Sequence, residues 1–457
     1  MPVDSPVNKP FGDIALCLSG GGYRAATYAL GTLSMLNELN LLDDVKLLST
    51  VSGGTFTGLT YATWQSEGKS FDDFYKDFSN YLKSTNAIDK ALDELYTTPS
   101  PSGSTDLSLI RSAAKSYSDC LLGKRTFNEL LEMAAKGERF RELIFNSTEF
   151  RQGNSFRFRA SSDATVFIGN QNFAVPKEVA QEIHLADIVA ASSCFPGAFE
   201  PIRFPDDFYW QSPLVEIRGK LIEDVENRFT HRTYQNGFNV DGNCIPLPLM
   251  DGGVYDNQGI TSAVLADKNN DFGLFLITDT SPREEDILNL PDSSPRSGWF
   301  SLQTLFWFVI GIFMTCLFSI FIIGYSFFAP TTANGFSKWL VILGYIVSIA
   351  PAFLLIGMLI WIYSQFHKLE KLNVSGAKFE LWHYFKKMAL PDAIEIVKAR
   401  VSSVMAMTSN VFMKRIRQLQ FNNLMNENSK AKLVAFNLIY SLNPTKESTW
   451  LKKLDSE

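Results

Sequence analysis

The stretch from Ile14 to Thr60, IALCLSGGGYRAATYALGTLSMLNELNLLDDVKLLSTVSGGTFTGLT, restricts the fold more than any other. An apolar run, Ile14 to Leu18, ends in Ser19-Gly20-Gly21-Gly22. Behind it Ala26, Ala29, Leu30, Leu33, Leu36 and Leu39 recur at helical spacing, which predicts a helix over Arg24 to Leu39. Consecutive glycines carry no side chains to obstruct their N–H groups and reach positive φ freely. N–H groups at a helix N-terminus attract an anion, and the helix dipole reinforces them. A phosphate loop of the NTPase kind would end in Gly-Lys-Ser/Thr, which Gly22-Tyr23-Arg24 does not supply. A second run, Val45 to Val51, delivers Ser52 into Val51-Ser52-Gly53-Gly54 ahead of another helix. A serine on a tight strand-to-helix turn among small neighbours is a nucleophile elbow. The usual glycine two residues earlier is Thr50 here, whereas Gly54, two residues later, is in place.

A serine hydroxyl is a weak nucleophile until a base takes its proton. The chain has four histidines, His184, His231, His367 and His383, and none lies in a glycine-rich or strand-end context. Far along the chain, Pro248-Leu-Met-Asp251-Gly252-Gly253 places a carboxylate at the end of a short apolar run, in a turn that admits close approach. A Ser52–Asp251 dyad needs no histidine.

Three motifs in order, Gly20-Gly21-Gly22-Tyr23-Arg24, Val51-Ser52-Gly53-Gly54 and Asp251-Gly252-Gly253, resemble the patatin-like phospholipases, with features of the group-four cytosolic phospholipases. The segment Ala191-Ser192-Ser193-Cys194-Phe195-Pro196-Gly197 resembles the patatin segment that links the two halves of the site. The resemblance covers roughly residues 10 to 280. It implies that Ser52 and Asp251 are the catalytic dyad and that Gly20, Gly21 and Gly22 form the oxyanion hole. Arg24, 28 residues before Ser52, is similar to an arginine that assists the cytosolic phospholipases by binding substrate or stabilising the loop. The implied reaction is hydrolysis of a phospholipid or lysophospholipid ester through an acyl-enzyme, without metal or cofactor.

The remaining chain sets the expected architecture. Strand and helix patterns alternate, which indicates an α/β sheet with helices on both faces and a site beyond the carboxyl ends of its strands. Helical patterns run through Phe71 to Leu82, Phe127 to Ala135, Pro176 to Ala191 and Ile260 to Asp267. The first two belong to a region, Phe71 to Lys136, that could cap the site. Strands are expected at Glu142 to Phe145, Ser155 to Ala160 and Phe272 to Ile277. Asn146-Ser147-Thr148 matches a glycosylation acceptor, a tripeptide common by chance. Residues 1–280 thus form a catalytic domain, and 281–297, with three prolines, a linker.

Between Arg296 and His367 the only charged residue is Lys338. Stretches 302–328 and 339–363 are long enough to span a hydrocarbon core of about 30 Å at about 1.5 Å per residue. They are expected to form a transmembrane hairpin over 298–366. Arg296, Lys368 and Lys371 flank it, so the positive-inside rule puts both termini in the cytoplasm. The N-terminus has no signal-peptide pattern, which places the catalytic part there too. The expectation is a multi-pass membrane protein that holds its site beside a bilayer. Residues 367–457 return to soluble character and are expected to pack on the catalytic domain. Lys432 to Leu442 has strand character that would extend the sheet. The cluster Lys414, Arg415 and Arg417 either touches anionic headgroups or is a solvated helix face.

Net charge is −6, with no basic stripe of the kind nucleic-acid binding requires. The five cysteines are scattered without metal-ligand spacing, and most read as buried thiols in a reducing compartment. Two other enzymes, an acyltransferase and a thioesterase, would use the same dyad, since they differ only in what accepts the acyl group. A silent lipid-binding scaffold would be expected to lack Ser52 or Asp251, and both are present.

Overall fold

The computed structural model describes residues 9–95, 108–163, 168–170, 173–228, 239–240, 243–244, 246–280, 301–328, 387–407, 412–426 and 433–438, with isolated positions between 339 and 364. The chain divides into two compact units, Met1–Glu285 with Thr408–Glu457, and Asp286–Met407.

The first unit is built on a mixed sheet. Its strands in chain order are β1 (Ile14–Leu18), β2 (Val45–Val51), β3 (Glu142–Glu149), β4 (Asn154–Ser161), β5 (Ile168–Asn170), β6 (Phe173–Val175) and β7 (Ile202–Phe204). A separate two-stranded ladder, β8 (Asn239–Val240) with β9 (Asn243–Cys244), precedes β10 (Leu247–Asp251), β11 (Leu274–Asp279) and β12 (Leu433–Leu438). The main order is β12-β11-β1-β2-β3-β4-β5-β6, with β10 joining β3 and β7 away from that path. The four pairings from β12 to β3 are parallel. Beyond them the ladders turn antiparallel, and β10 runs antiparallel to β3 with Asp251 opposite Ser147. The two candidate residues therefore reach the site from opposite strand directions.

Helices cover both faces. They are α1 (Gly22–Glu38), α2 (Gly53–Ser66), α3 (Phe71–Ser84), α4 (Ala87–Glu94), α5 (Leu109–Tyr117), α6 (Asn128–Lys136), α7 (Lys177–Ala180), α8 (Leu185–Ser193), α9 (Leu214–Arg228), α10 (Gly253–Asp256) and α11 (Ile260–Asn270). One core lies between the sheet and α1, α2, α3, α5 and α8, and includes Leu16, Leu33, Leu59, Phe74, Phe78, Ile110 and Ile188. A smaller core on the opposite face joins Ala15, Cys17, Ile144 and Ile277 to Ile260, Ala263 and Leu424. β1 and β2 are buried almost throughout, as expected of parallel strands covered on both faces.

The structure refines three of these readings. Within the segment from Phe71 to Lys136, suggested as a cap, Phe74, Phe78, Ile110 and Leu130 are buried in the main core. The single helix expected over Pro176 to Ala191 is two, α7 and α8, separated by Gln181–His184. Asn146-Ser147-Thr148 lies inside β3 with all three residues buried, so it offers no glycan acceptor. The linker 281–297 lies outside the described residues.

In the second unit, α12 (Leu302–Phe328) occupies the first charge-free stretch, and α13 (Leu390–Ala406) follows. Ser301 bridges Ala389, and Val309 on α12 is buried. The second stretch, 339–363, falls mostly outside the described residues. The expected two-span membrane localisation is corrected: among the described residues no helix is long and apolar enough to cross a membrane. The last helix, α14 (Met413–Asn426), and β12 belong to the first unit. There β12 pairs in parallel with β11 along its whole length.

Candidate active site

Ser52 sits between the end of β2 and the start of α2, with φ 51° and ψ −119°. Holding a residue with a Cβ in that region costs on the order of 1–3 kcal/mol, so its surroundings must enforce it. The Ser52 N–H donates to Ser192 Oγ at 3.0 Å, and the Ser52 carbonyl accepts from the Phe56 N–H at 3.0 Å. The neighbouring glycines are needed for close approach. A Cβ on Gly53 would lie 2.1 Å from the Gly22 carbonyl oxygen, and one on Gly54 2.4 Å from that of Leu18. Thr50 fits where the usual elbow has glycine because Gly58 makes the space. A Cβ on Gly58 would meet Thr50 Cγ2 at 2.6 Å. Thr50 Oγ1 in turn bonds Thr55 Oγ1 at 2.9 Å, tying strand to helix.

Asp251 ends β10, and the Ser52 hydroxyl lies near enough to its buried carboxyl to help lower its pKa. Asp251 Oδ1 also accepts the Gly253 N–H at 2.7 Å. Its backbone is fixed on three sides: Asp251 N–H to Cys194 O at 3.0 Å, Gly252 N–H to Ser192 O at 3.2 Å, and Thr148 Oγ1 to Asp251 O at 2.9 Å. Burial raises the acid's pKa from 3.8 to about 6, a shift opposed by the Gly253 N–H and the Ser52 hydroxyl. The carboxyl is therefore poised near neutrality, where a general base works best.

The three loop glycines are not equivalent. The Gly20 N–H is committed to the Asn257 carbonyl at 2.9 Å, and a Cβ on Gly20 would lie 3.2 Å from Ser52 Cβ. The Gly20 N–H is thus already partnered, and its lack of a side chain admits the close approach to Ser52. Gly21 (φ 141°) caps α1 and Gly22 (φ 61°) is its first residue. Both are exposed, and no described residue accepts their N–H groups. With no acidic residue in the first turn of α1, these two N–H groups and the helix dipole form an anion cradle. Arg24, exposed in that same turn, makes no ion pair among the described residues.

Sequence reasoning passed over the groups that hold the two halves together. Ser192 Oγ receives the Ser52 N–H, bonds Thr55 Oγ1 at 2.8 Å and donates to the Asn146 carbonyl at 2.6 Å. Asn146 Nδ2 donates to Ser49 Oγ and the Thr50 carbonyl, and its Oδ1 accepts from Ser262 Oγ at 2.6 Å. The Ala191-Ser192-Ser193 segment carried a signal for the first. The second was hidden because β3 was expected to end at Phe145. His184, at the start of α8, bridges Thr126 and lies against Tyr209, and burial lowers its pKa. The other three histidines lie outside the described residues.

Among solved structures, human GIVD cytosolic phospholipase A2 is similar over 61% of this chain and 44% of that one, at 13% identity and a TM-score of 0.39. The same protein in complex with methyl gamma-linolenyl fluorophosphonate matches over 59% and 41%, at 14% identity and a TM-score of 0.37. The chain thus spans less than half the length of that enzyme. No curated protein sequence matches it. Residues 16–264, more than half of the chain, match the model of patatin-like phospholipases, and the match encloses every candidate residue described above. The chain belongs to the patatin-like phospholipase family.

Proposed function

We propose that this protein hydrolyses carboxylic esters of phospholipids or lysophospholipids through an acyl-enzyme on Ser52. The observation that carries the reading is a buried serine, Ser52, held on a strained elbow beside the buried Asp251 carboxyl, whose pKa its hydroxyl lowers. Ser52 Oγ attacks the acyl carbon while its proton passes to Asp251. The carbonyl oxygen becomes an oxyanion held by the Gly21 and Gly22 N–H groups, and one such donor is worth about 3–4 kcal/mol in another hydrolase. Collapse breaks the ester bond, and Asp251 returns the proton to the departing alkoxide. Water then attacks the acyl-enzyme with Asp251 again as base, the fatty acid leaves, and Ser52 regains its proton.

Arg24 suits the anionic phosphate of a phospholipid headgroup, because it lies in the exposed first turn behind the loop. Gly20 sets the distance between loop and elbow, as its 3.2 Å approach to Ser52 Cβ requires. The test is fatty-acid release from mixed phospholipid and lysophospholipid vesicles by wild type and Ser52→Ala. Release by wild type alone supports the reading. Equal release by both proteins, or none by either, overturns it.

A further inference from the structure

The basic cluster of the C-terminal segment contains one residue that faces inward. Arg417, on α14, has a side chain only 15% exposed, and its Nη1 lies 3.2 Å from Asp279 Oδ2. Asp279 ends β11 and its side chain is 2% exposed. A buried carboxylate left without its counter-charge is strongly destabilised, so the pair is coupled to whatever else Asp279 holds.

Asp279 stands within the framework of the glycine loop. Its Oδ2 also accepts from Gln258 Nε2 at 3.3 Å, and the residue before Gln258, Asn257, receives the Gly20 N–H. On its other side, the Thr280 N–H donates to Ser19 Oγ at 3.2 Å and Thr280 Oγ1 donates to the Gly20 carbonyl at 3.1 Å. Thr280 also backs Gly21, where an added Cβ would lie 2.8 Å from Thr280 Oγ1. Ser19 through Gly21 is therefore clamped between residues 257–258 and 278–280. Asp279 is the charged member that touches both arms of the clamp, one through its side chain and one through the chain itself. Its pairing with β12, Asp279 opposite Leu438, brings a second part of the same C-terminal segment to this point.

We propose that Arg417 is a positioning residue for the oxyanion loop, acting through Asp279. The segment that follows the second unit is then part of the catalytic apparatus, although it lies beyond the family match at residues 16–264. This inference rests on the hydrolase reading above. Arg417 touches no reacting atom. Its contribution is to keep the Asp279 carboxyl in place, so that Gln258–Asn257 and Thr280 hold the Gly21 and Gly22 donors in register with Ser52.

The test uses the full-length chain, with fatty-acid release from phospholipid vesicles measured for wild type, Ser52→Ala, Arg417→Met, Arg417→Lys and Asp279→Asn with Arg417→Met. Activity in wild type that is absent from Ser52→Ala secures the underlying reading independently. Arg417→Met is expected to lower kcat by roughly tenfold to a hundredfold with KM little changed, the effect of displacing a donor by a fraction of an ångström. Arg417→Lys should keep most of the rate. The double variant, in which neither buried charge remains and the substituted amide oxygen still accepts from Gln258, should recover most of the loss. The proposal is overturned if wild type is active and Arg417→Met has the same kcat. It is equally overturned if the lost activity only tracks the lost folded fraction and the double variant does not recover it.

Discussion

Replacing Asp251 with asparagine separates what this carboxyl does for catalysis from what it does to stability. In the folded chain the acid takes up its proton near pH 6; unfolded, near its ordinary 3.8. Between those values the native state binds more protons than the unfolded state, so stability falls as pH rises through 6. The stability linked to the protonated acid is fully present below 3.8 and lost above about 6. Integrated over that interval, the ionised carboxylate costs about 3 kcal/mol at neutral pH relative to a neutral group in the same place. Asparagine is such a group: its carbonyl can still accept the Gly253 N–H. Asp251→Asn is therefore expected to melt about 5 °C above wild type at about pH 8, with the difference vanishing near pH 4. Thermal unfolding followed by circular dichroism at several pH values makes the comparison. A variant no more stable than wild type at the alkaline end, or an advantage that grows on acidification, would refute the argument that burial sets this group's acidity.

The same carboxyl should shape the rate. Because the base must be ionised, kcat/KM is expected to rise with pH along a limb of apparent pKa about 6 and then level off, which initial rates on a soluble ester will show. Ser192→Ala leaves the Ser52 N–H without its acceptor and should cost about 1–3 kcal/mol in denaturant unfolding, with reduced activity in the fraction that stays folded. Gly54→Ala drives a Cβ into the Leu18 and Ser19 carbonyls and should destabilise by at least about 2 kcal/mol, read as a fall in melting temperature.

Those parts of the fold that sequence patterning revealed are local ones. β1 and β2 have the bounds expected of them because a run rich in apolar residues meets a glycine turn at each carboxyl end. β3 was read as half its length. Asn146, Ser147 and Thr148 look like loop residues, and their side chains bond partners 44 to 116 residues away, among them Ala191, Met250 and Ser262. Long-range hydrogen bonds leave no periodicity to detect. Gly58 illustrates the same point on a smaller scale: nothing in its helix marks it until Thr50 is seen against it. Gly20, Gly21 and Gly22 read as equivalent donors, yet the Asn257 carbonyl occupies the first, a distinction fixed by tertiary contact alone. The charge-free run after Arg296 led to the opposite error. Composition suggested two spans, and the described helices do not provide one.

The central claim is that Ser52 carries the acyl group between the two half-reactions. Rapid acid quenching during turnover of a phospholipid with one defined acyl chain, followed by peptide mass analysis, measures this directly. The peptide containing Ser52 is expected to gain the mass of the fatty acid less one water, and Ser52→Ala to show neither the adduct nor fatty-acid release. An adduct on another residue, or turnover that persists in Ser52→Ala, would contradict it.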